Sequence, residues 1–229
     1  MILGFFLAPY WWIVIPGLLL GLYAQVKLSS TYKKYMRIGS RSGMTGAQVA
    51  REILDDAGLV NMQIKEAQGH LTDHYDPMRK TLVLSSENYR GNSLAAIGVA
   101  AHEAGHALQH KDSYKFLQLR MMLVPATQFA SQAYMPIFFF GIIFQAFWQS
   151  ALSLIIGIFS ILFLFQLITL PVEFNASSRA KRVLAGMGMI SGEEGRGVSK
   201  VLNAAALTYV AAMVTSALQL LQFVLLRRE

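Results

Sequence analysis

The sequence predicts a mainly α fold in which about four multi-pass membrane helices carry a cytoplasmic helical subdomain with a small β-hairpin. Hydrophobic residues make up 54 % of the 229 and charged residues only 14 %, the balance of a chain that meets lipid as well as water. Met121 to Val172 is a run of 52 residues without Asp, Glu, Lys or Arg. As helix it measures about 78 Å against a hydrocarbon core of about 30 Å, which predicts two crossings. The third observation is "VAAHEAGHALQH", Val99 to His110, where three of the five histidines recur every four residues.

In chain order, residues 1–26 predict the first span. No basic region or small-residue cleavage site precedes Lys27, Lys33, Lys34, Arg37 and Arg41, so it reads as an anchor that is retained. Residues 27–120 are the cytoplasmic region. Thr45 and Gln48 have capping-box spacing, Val49, Ile53 and Leu54 share a helical face, and Gly58 supplies the stop. Two alternating runs around the turn signal Asp76-Pro77 predict a hairpin or edge strand. Asn92 or Ser93 then caps a helix that reaches about Gln109.

Residues 121–171 predict a transmembrane hairpin divided near Trp148-Gln149-Ser150, with Pro125, Pro136 and Pro171 at kinks or ends. Residues 172–203 return to the cytoplasm. One helix there ends near Gly186 or Gly188, and another opens at Ser191 and Glu194, again at capping-box spacing. Residues 204–229 predict a fourth span whose polar side carries Thr208, Thr215, Ser216, Gln219 and Gln222.

Charge sets the orientation. Of the 20 Lys and Arg, 13 lie between Lys27 and Arg120 and five between Arg179 and Lys200, which places both segments in the cytoplasm and the amino terminus outside; the absence of cysteine and the compact four-span layout point to a bacterial plasma membrane. Arg227 and Arg228 run against this pattern. The asymmetry accounts for the formal charge of +7. No aromatic stacking residues interleave the basic ones, so nucleic acid is excluded as the expected partner. The absence of cysteine excludes disulfides and thiolate chemistry. The glycines between Gly186 and Gly197 lack the strand–turn–helix setting of a phosphate loop.

On a helix each residue advances about 100°, so His102 and His106 stand about 40° apart and one turn along, where both imidazoles reach one ion. Glu103 lies beside them, placed to take a proton from a water in the ion's open position, which makes it the expected catalytic base. Two histidines leave a tetrahedral Zn²⁺ incomplete. Between Asp112 and Glu193 the one acidic residue is Glu173. Two spans separate it from His106, an even number, so the chain returns to the same face. Glu173 is therefore the expected third ligand. His110 is not, because three histidines on successive turns stretch over about 12 Å; it is expected at the helix end, where cations are favoured. His74, Tyr75 and Arg179 are rival donors to an oxyanion, none of them assigned. The strand around Thr81–Ser85 is a candidate for pairing an extended substrate.

"AHEAGHALQH" with "PVEFNASSRA", preceded by "LTDHYDP" and "LS", resembles the bacterial membrane-embedded neutral zinc metallopeptidase family over nearly the whole chain. More distantly it looks like the CAAX prenyl protease and the heat-shock membrane zinc proteases, which follow their histidine motif with Glu-x-x-Ala-Asp. The resemblance implies a zincin-like subdomain, Zn²⁺ on His102, His106 and Glu173, and a peptide or membrane-protein substrate. It matches Ala176 but meets Ser177 where those relatives carry an Asp that supports a zinc-binding histidine; Ser177 is left to hydrogen-bond that ring more weakly. The expected function is an integral-membrane zinc endopeptidase with the lipid bilayer, and an unspecified regulatory membrane protein, as partners. The alternative is a non-catalytic zinc-binding scaffold or adaptor, marked by a fourth protein ligand. A transporter ranks last, since the spans carry no charge and no repeat.

Overall fold

The computed structural model describes residues 10–70 and 72–228; the first-span expectation, residues 1–26, lies partly outside the described residues. A 3₁₀ turn at Trp11–Val14 leads into α1 (Ile15–Met36). There follow α2 (Gly46–Asp56), β1 (Gln63–Ala67), β2 (His74–Asp76), β3 (Thr81–Ser85), α3 (Ser86–Arg90) and α4 (Leu94–Lys111). The chain ends with α5 (Lys115–Ile143), a 3₁₀ turn at Gln145–Phe147, α6 (Trp148–Gly186) and α7 (Gly192–Leu226).

Among the described residues three helical segments are long and apolar enough to cross a membrane: Trp11–Met36, Gln145–Gly186 and Gly192–Leu226. The sequence predicted about four. The difference is α5, whose 29 residues give the length while Gln128, Ser131, Gln132 and Tyr134 lower its hydropathy. Pro125, Pro136 and Pro171 all lie inside helices that continue past them. Apolar helices tolerate this because neighbouring groups and small backbone adjustments satisfy the carbonyl that proline leaves free.

The chain forms two compact units. The first comprises the described residues up to Ala24, Leu119–Leu170 and those from Thr208. Its core is aromatic and aliphatic: Ala130, Leu152, Ile155, Phe159 and Phe223 are buried together, and the Tyr134 ring stands edge-on to Phe159 with centroids 5.2 Å apart. Two glycines permit close helix contact. A Cβ on Gly141 would lie 2.7 Å from the Ala151 Cβ, and one on Gly17 would lie 2.8 Å from Thr215 Oγ1. Leu18, Leu22, Phe129, Phe140, Leu154 and Leu164 are exposed, as expected of helices whose outer faces meet acyl chains.

The second unit comprises Gln25–Gln118 and Pro171–Leu207. The Thr45–Gln48 capping box forms in both directions, and Gly58 takes the left-handed conformation at φ +72° that ends the turn after α2. At Ser191 and Glu194 no such box forms. The Glu194 carboxylate instead accepts the Arg41 backbone N–H at 2.7 Å, satisfying a donor distant in sequence. β3 is the central strand, with β1 parallel on one side and β2 antiparallel on the other. The predicted hairpin is thus β2–β3, and β1 is an added strand. Because β3 is flanked on both sides, Thr81–Ser85 cannot take up a further strand, and that expectation is corrected.

One buried network binds the sheet to the helices. The Asp73 carboxylate accepts the Ser85 N–H at 2.8 Å, the Ser85 hydroxyl at 3.0 Å and the Asn88 amide at 2.9 Å. Asn88 Oδ1 in turn accepts the Tyr32 hydroxyl at 2.8 Å. Ser85 and Asn88 are fully buried, so an unanswered donor there costs about 1–3 kcal/mol. Asp73→Ala is expected to lower stability by about 3 kcal/mol, measured as a fall in the thermal unfolding midpoint in detergent, while Asp73→Asn loses less.

Candidate metal centre

Helix α4 starts where Ser93 Oγ accepts the Ala96 N–H at 3.1 Å, the N-cap expected of serine. Its middle is built from small buried residues, Ala100, Ala101, Ala104 and Ala107. Gly105 decides what approaches it. A Cβ there would sit 2.7 Å from the Ala176 carbonyl oxygen and 3.3 Å from its Cα, so only glycine lets the backbones of α4 and α6 come this close. On α6, Glu173, Ala176, Ser177, Ala180 and Leu184 are all buried, at the three- and four-residue spacing of one helical face.

That contact brings Glu173 onto the histidine pair. Glu173 Oε2 lies 3.2 Å from His102 Nε2 and 3.6 Å from His106 Nε2, and the ligand atoms of the three residues lie within 4.8 Å of one another. The two imidazoles meet edge to face with centroids 4.8 Å apart. Two ligands of a tetrahedral zinc with bonds of about 2.05 Å stand roughly 3.3 Å apart, a value the two Glu173 distances bracket, within an overall spread of 4.8 Å. The donor set, two nitrogens and a carboxylate, is also the one catalytic zinc takes. The residues fit the ion.

Outer contacts orient both rings. His106 Nδ1 pairs with Gln109 Oε1 at 3.0 Å. The Gln109 amide nitrogen donates to the Val172 carbonyl at 2.7 Å and to Asn175 Oδ1 at 3.0 Å, which fixes which end of the amide is oxygen. His106 Nδ1 must then donate, and Nε2 is the nitrogen turned toward Glu173. His102 Nδ1 pairs with the Ser177 hydroxyl at 3.1 Å, the ring contact expected of Ser177. Gln109 was not singled out in the sequence, although its place three residues after His106 and seven after His102 put it on the same stripe.

Glu103 is 8 % exposed and accepts no hydrogen bond from any described residue. Burial pushes its carboxyl up to about 7, offset in part by His102 and reinforced by Glu173 and Asp73. It is the carboxylate left without a donor, beside one enclosed by two rings.

The other candidates are engaged elsewhere. His110 Nδ1 pairs with the Tyr75 hydroxyl at 2.8 Å, tying β2 to the end of α4, and burial raises the Tyr75 phenol to about 12. Arg179 donates to Asn175 Oδ1 at 2.8 Å and pairs with Asp112, the C-cap of α4. His74 is exposed, with Nδ1 on the Thr72 carbonyl at 2.8 Å. It is also among the charges felt by Glu103.

A family described as "putative neutral zinc metallopeptidase" matches residues 10–228, and the chain belongs to that family. It is 47 % identical over 214 residues, 93 % of this chain and 94 % of the relative, to the "Putative membrane protease YugP" of Bacillus subtilis (strain 168). No solved structure matches.

Two outcomes follow from the geometry. Gln109→Leu leaves His106 Nδ1 without an acceptor and is expected to weaken zinc binding about 10–100-fold, read by chelator competition. In the metal-free protein the folded state holds the Glu103 proton up to about pH 7, against an ordinary 4.5. Stability should therefore fall as pH rises through that window and stay low above it. Glu103→Gln should unfold at a higher temperature than the native chain at pH 8, and at the same temperature at pH 4.

Proposed function

We propose that this protein is an integral-membrane, zinc-dependent endopeptidase that acts on peptides or membrane proteins at the cytoplasmic side of a bacterial plasma membrane. The observation that carries the reading is the convergence of His102, His106 and Glu173, with Glu103 next to His102 in the chain and accepting no hydrogen bond from any described residue. In this reading His102 Nε2, His106 Nε2 and a Glu173 carboxylate oxygen hold Zn²⁺. When bound, the ion supplies Lewis acidity that polarises a carbonyl and lowers the pKa of water.

Glu103 does the proton work. Its carboxylate takes a proton from water as the water oxygen bonds to the scissile carbonyl carbon. It then delivers a proton to the amide nitrogen as the C–N bond breaks, leaving a carboxyl group and an amine. A group poised near neutrality suits both directions of transfer. Gln109 and Ser177 keep the rings aimed, and the α4–α6 contact at Gly105 holds Glu173 in reach. The basic residues that follow the apolar part of α1 support a cytoplasmic site.

The deciding experiment measures zinc and hydrolysis on the same preparation. The protein purified in detergent is expected to hold one zinc per chain and to cleave an unfolded protein substrate. Glu103→Gln should keep the zinc and lose about 10²–10⁴-fold in rate, and His102→Ala should lose both. A native chain without stoichiometric zinc, or a Gln variant that cleaves at the native rate, overturns the reading; zinc without any cleavage favours the scaffold.

A further inference from the structure

A groove of about 510 Å³ lies within the second unit between α1 and α7. Lys27, Ser30, Thr31, Lys34 and Tyr35 of α1 line one wall, and Lys200, Asn203, Ala204 and Leu207 of α7 the other. The spacing is that of a single face on each helix, with turns at 27, 30–31 and 34 opposite turns at 200, 203–204 and 207. Tyr35 is buried at its base. A Cβ on Gly197 would stand 2.9 Å from that ring, so the glycine one turn before Lys200 lets Tyr35 pack close and shapes the groove.

Three ammonium groups line this groove and no carboxylate does. Among the described residues none of the three makes an ion pair. The Thr31 hydroxyl and Asn203 amide make no hydrogen bond to a described residue. Lys34 Nζ also lies over the Tyr35 ring, 5.7 Å from its centroid, but no carboxylate faces any of the three, and like charges sharing one groove favour an anion between them. Position along each helix says which anion. In α1 the apolar run ends at Val26, directly before Lys27; in α7 the apolar run begins at Ala204, one turn after Lys200. Lys27 and Lys200 stand where both candidate spans pass from apolar to polar, the level of lipid headgroups, and Lys34 lies two turns further along α1. Ala204 and Leu207 continue the α7 wall with apolar side chains, which a soluble anion does not need and an acyl chain does.

We propose that the groove formed by Lys27, Lys34 and Lys200 binds the phosphate headgroup of an anionic phospholipid of the cytoplasmic leaflet. The three ammoniums hold the phosphodiester, and Thr31 and Asn203 donate to its oxygens or to the glycerol. The acyl chains start along the apolar wall of Ala204 and Leu207. The site lies apart from the metal centre in sequence and shares none of its residues, so it does not rest on the peptidase reading.

The test titrates phosphatidylglycerol into the full-length protein in an uncharged detergent. It reads the thermal midpoint and, by native mass spectrometry, the lipid retained. Phosphatidylglycerol is expected to saturate with one molecule retained and a raised midpoint, and phosphatidylcholine to do neither. The triple variant Lys27→Ala, Lys34→Ala, Lys200→Ala should bind about a hundredfold more weakly, roughly fivefold per ammonium. Triple replacement by Arg at the same positions should retain binding, as should a control of equal charge loss, Lys65→Ala with Arg79→Ala and Lys80→Ala. Zinc content, measured alongside, should stay unchanged in all variants, so a failure here is separable from a failure of the peptidase reading. The proposal is overturned if phosphatidylcholine binds as well, or if the groove variant binds no worse than the control. It is equally overturned if inorganic phosphate or an acidic peptide displaces the lipid at equal concentration.

Discussion

A carboxylate buried to 2 % exposure is tolerated only where something answers its charge, and Glu173 has two imidazoles within 3.6 Å. The second unit is organised around that constraint. Gly105 removes the side chain that would otherwise hold α6 away. The alanines around it keep α4 thin. The buried face of α6 then carries Glu173 to the histidines, with Ala176 against Gly105 and Ser177 under His102. Without the close approach of these two backbones, the carboxylate would be a charge in an apolar interface with no partner.

Two glutamates near the same pair of rings have opposite surroundings. Glu173 Oε2 lies at hydrogen-bond distance from His102 Nε2 and 3.6 Å from His106 Nε2, while Glu103, one residue from His102, is buried and accepts no hydrogen bond from any described residue. One environment suits a ligand that stays ionised and the other a group that exchanges a proton near neutrality. The difference between the two carboxyl groups thus arises from packing and from which nitrogen faces which oxygen, since the side chains are chemically identical. Gln109 extends it outward, linking His106 to the α6 backbone and to Asn175, which Arg179 also holds.

The rest of the second unit supports this assembly. Asp73 gathers β3 and α3, and through Asn88 it reaches α1, while Tyr75 fastens β2 to His110 at the end of α4. The first unit has a different logic. Its aromatic core is small and its exposed surface is apolar, a sensible arrangement only where the solvent outside is lipid. The lysine groove stands on helices that pass from one kind of solvent to the other, so its charges and its apolar wall answer to the same boundary.

Much was legible in the sequence because it rested on local periodicity or on composition. The i, i+4 histidines, the Thr45–Gln48 cap, the Gly58 stop and the long uncharged run each follow from a few neighbouring residues or from hydropathy alone. Glu173 was singled out as the only acidic residue between Asp112 and Glu193 and by a count of two crossings; the structure sets it against the histidines through the α4–α6 contact, while α5 is not among the three candidate spans. Tertiary structure alone decided contacts that depend on which surfaces meet. Glu194 bonded to Arg41 instead of closing a capping box, and β3 became a central strand rather than an edge. Gln109 emerged as the partner of His106, and Gly105 as the point where two helices touch. Such outcomes are set by buried donors and acceptors finding partners far along the chain, and spacing within a single helix carries no record of what will lie across from it.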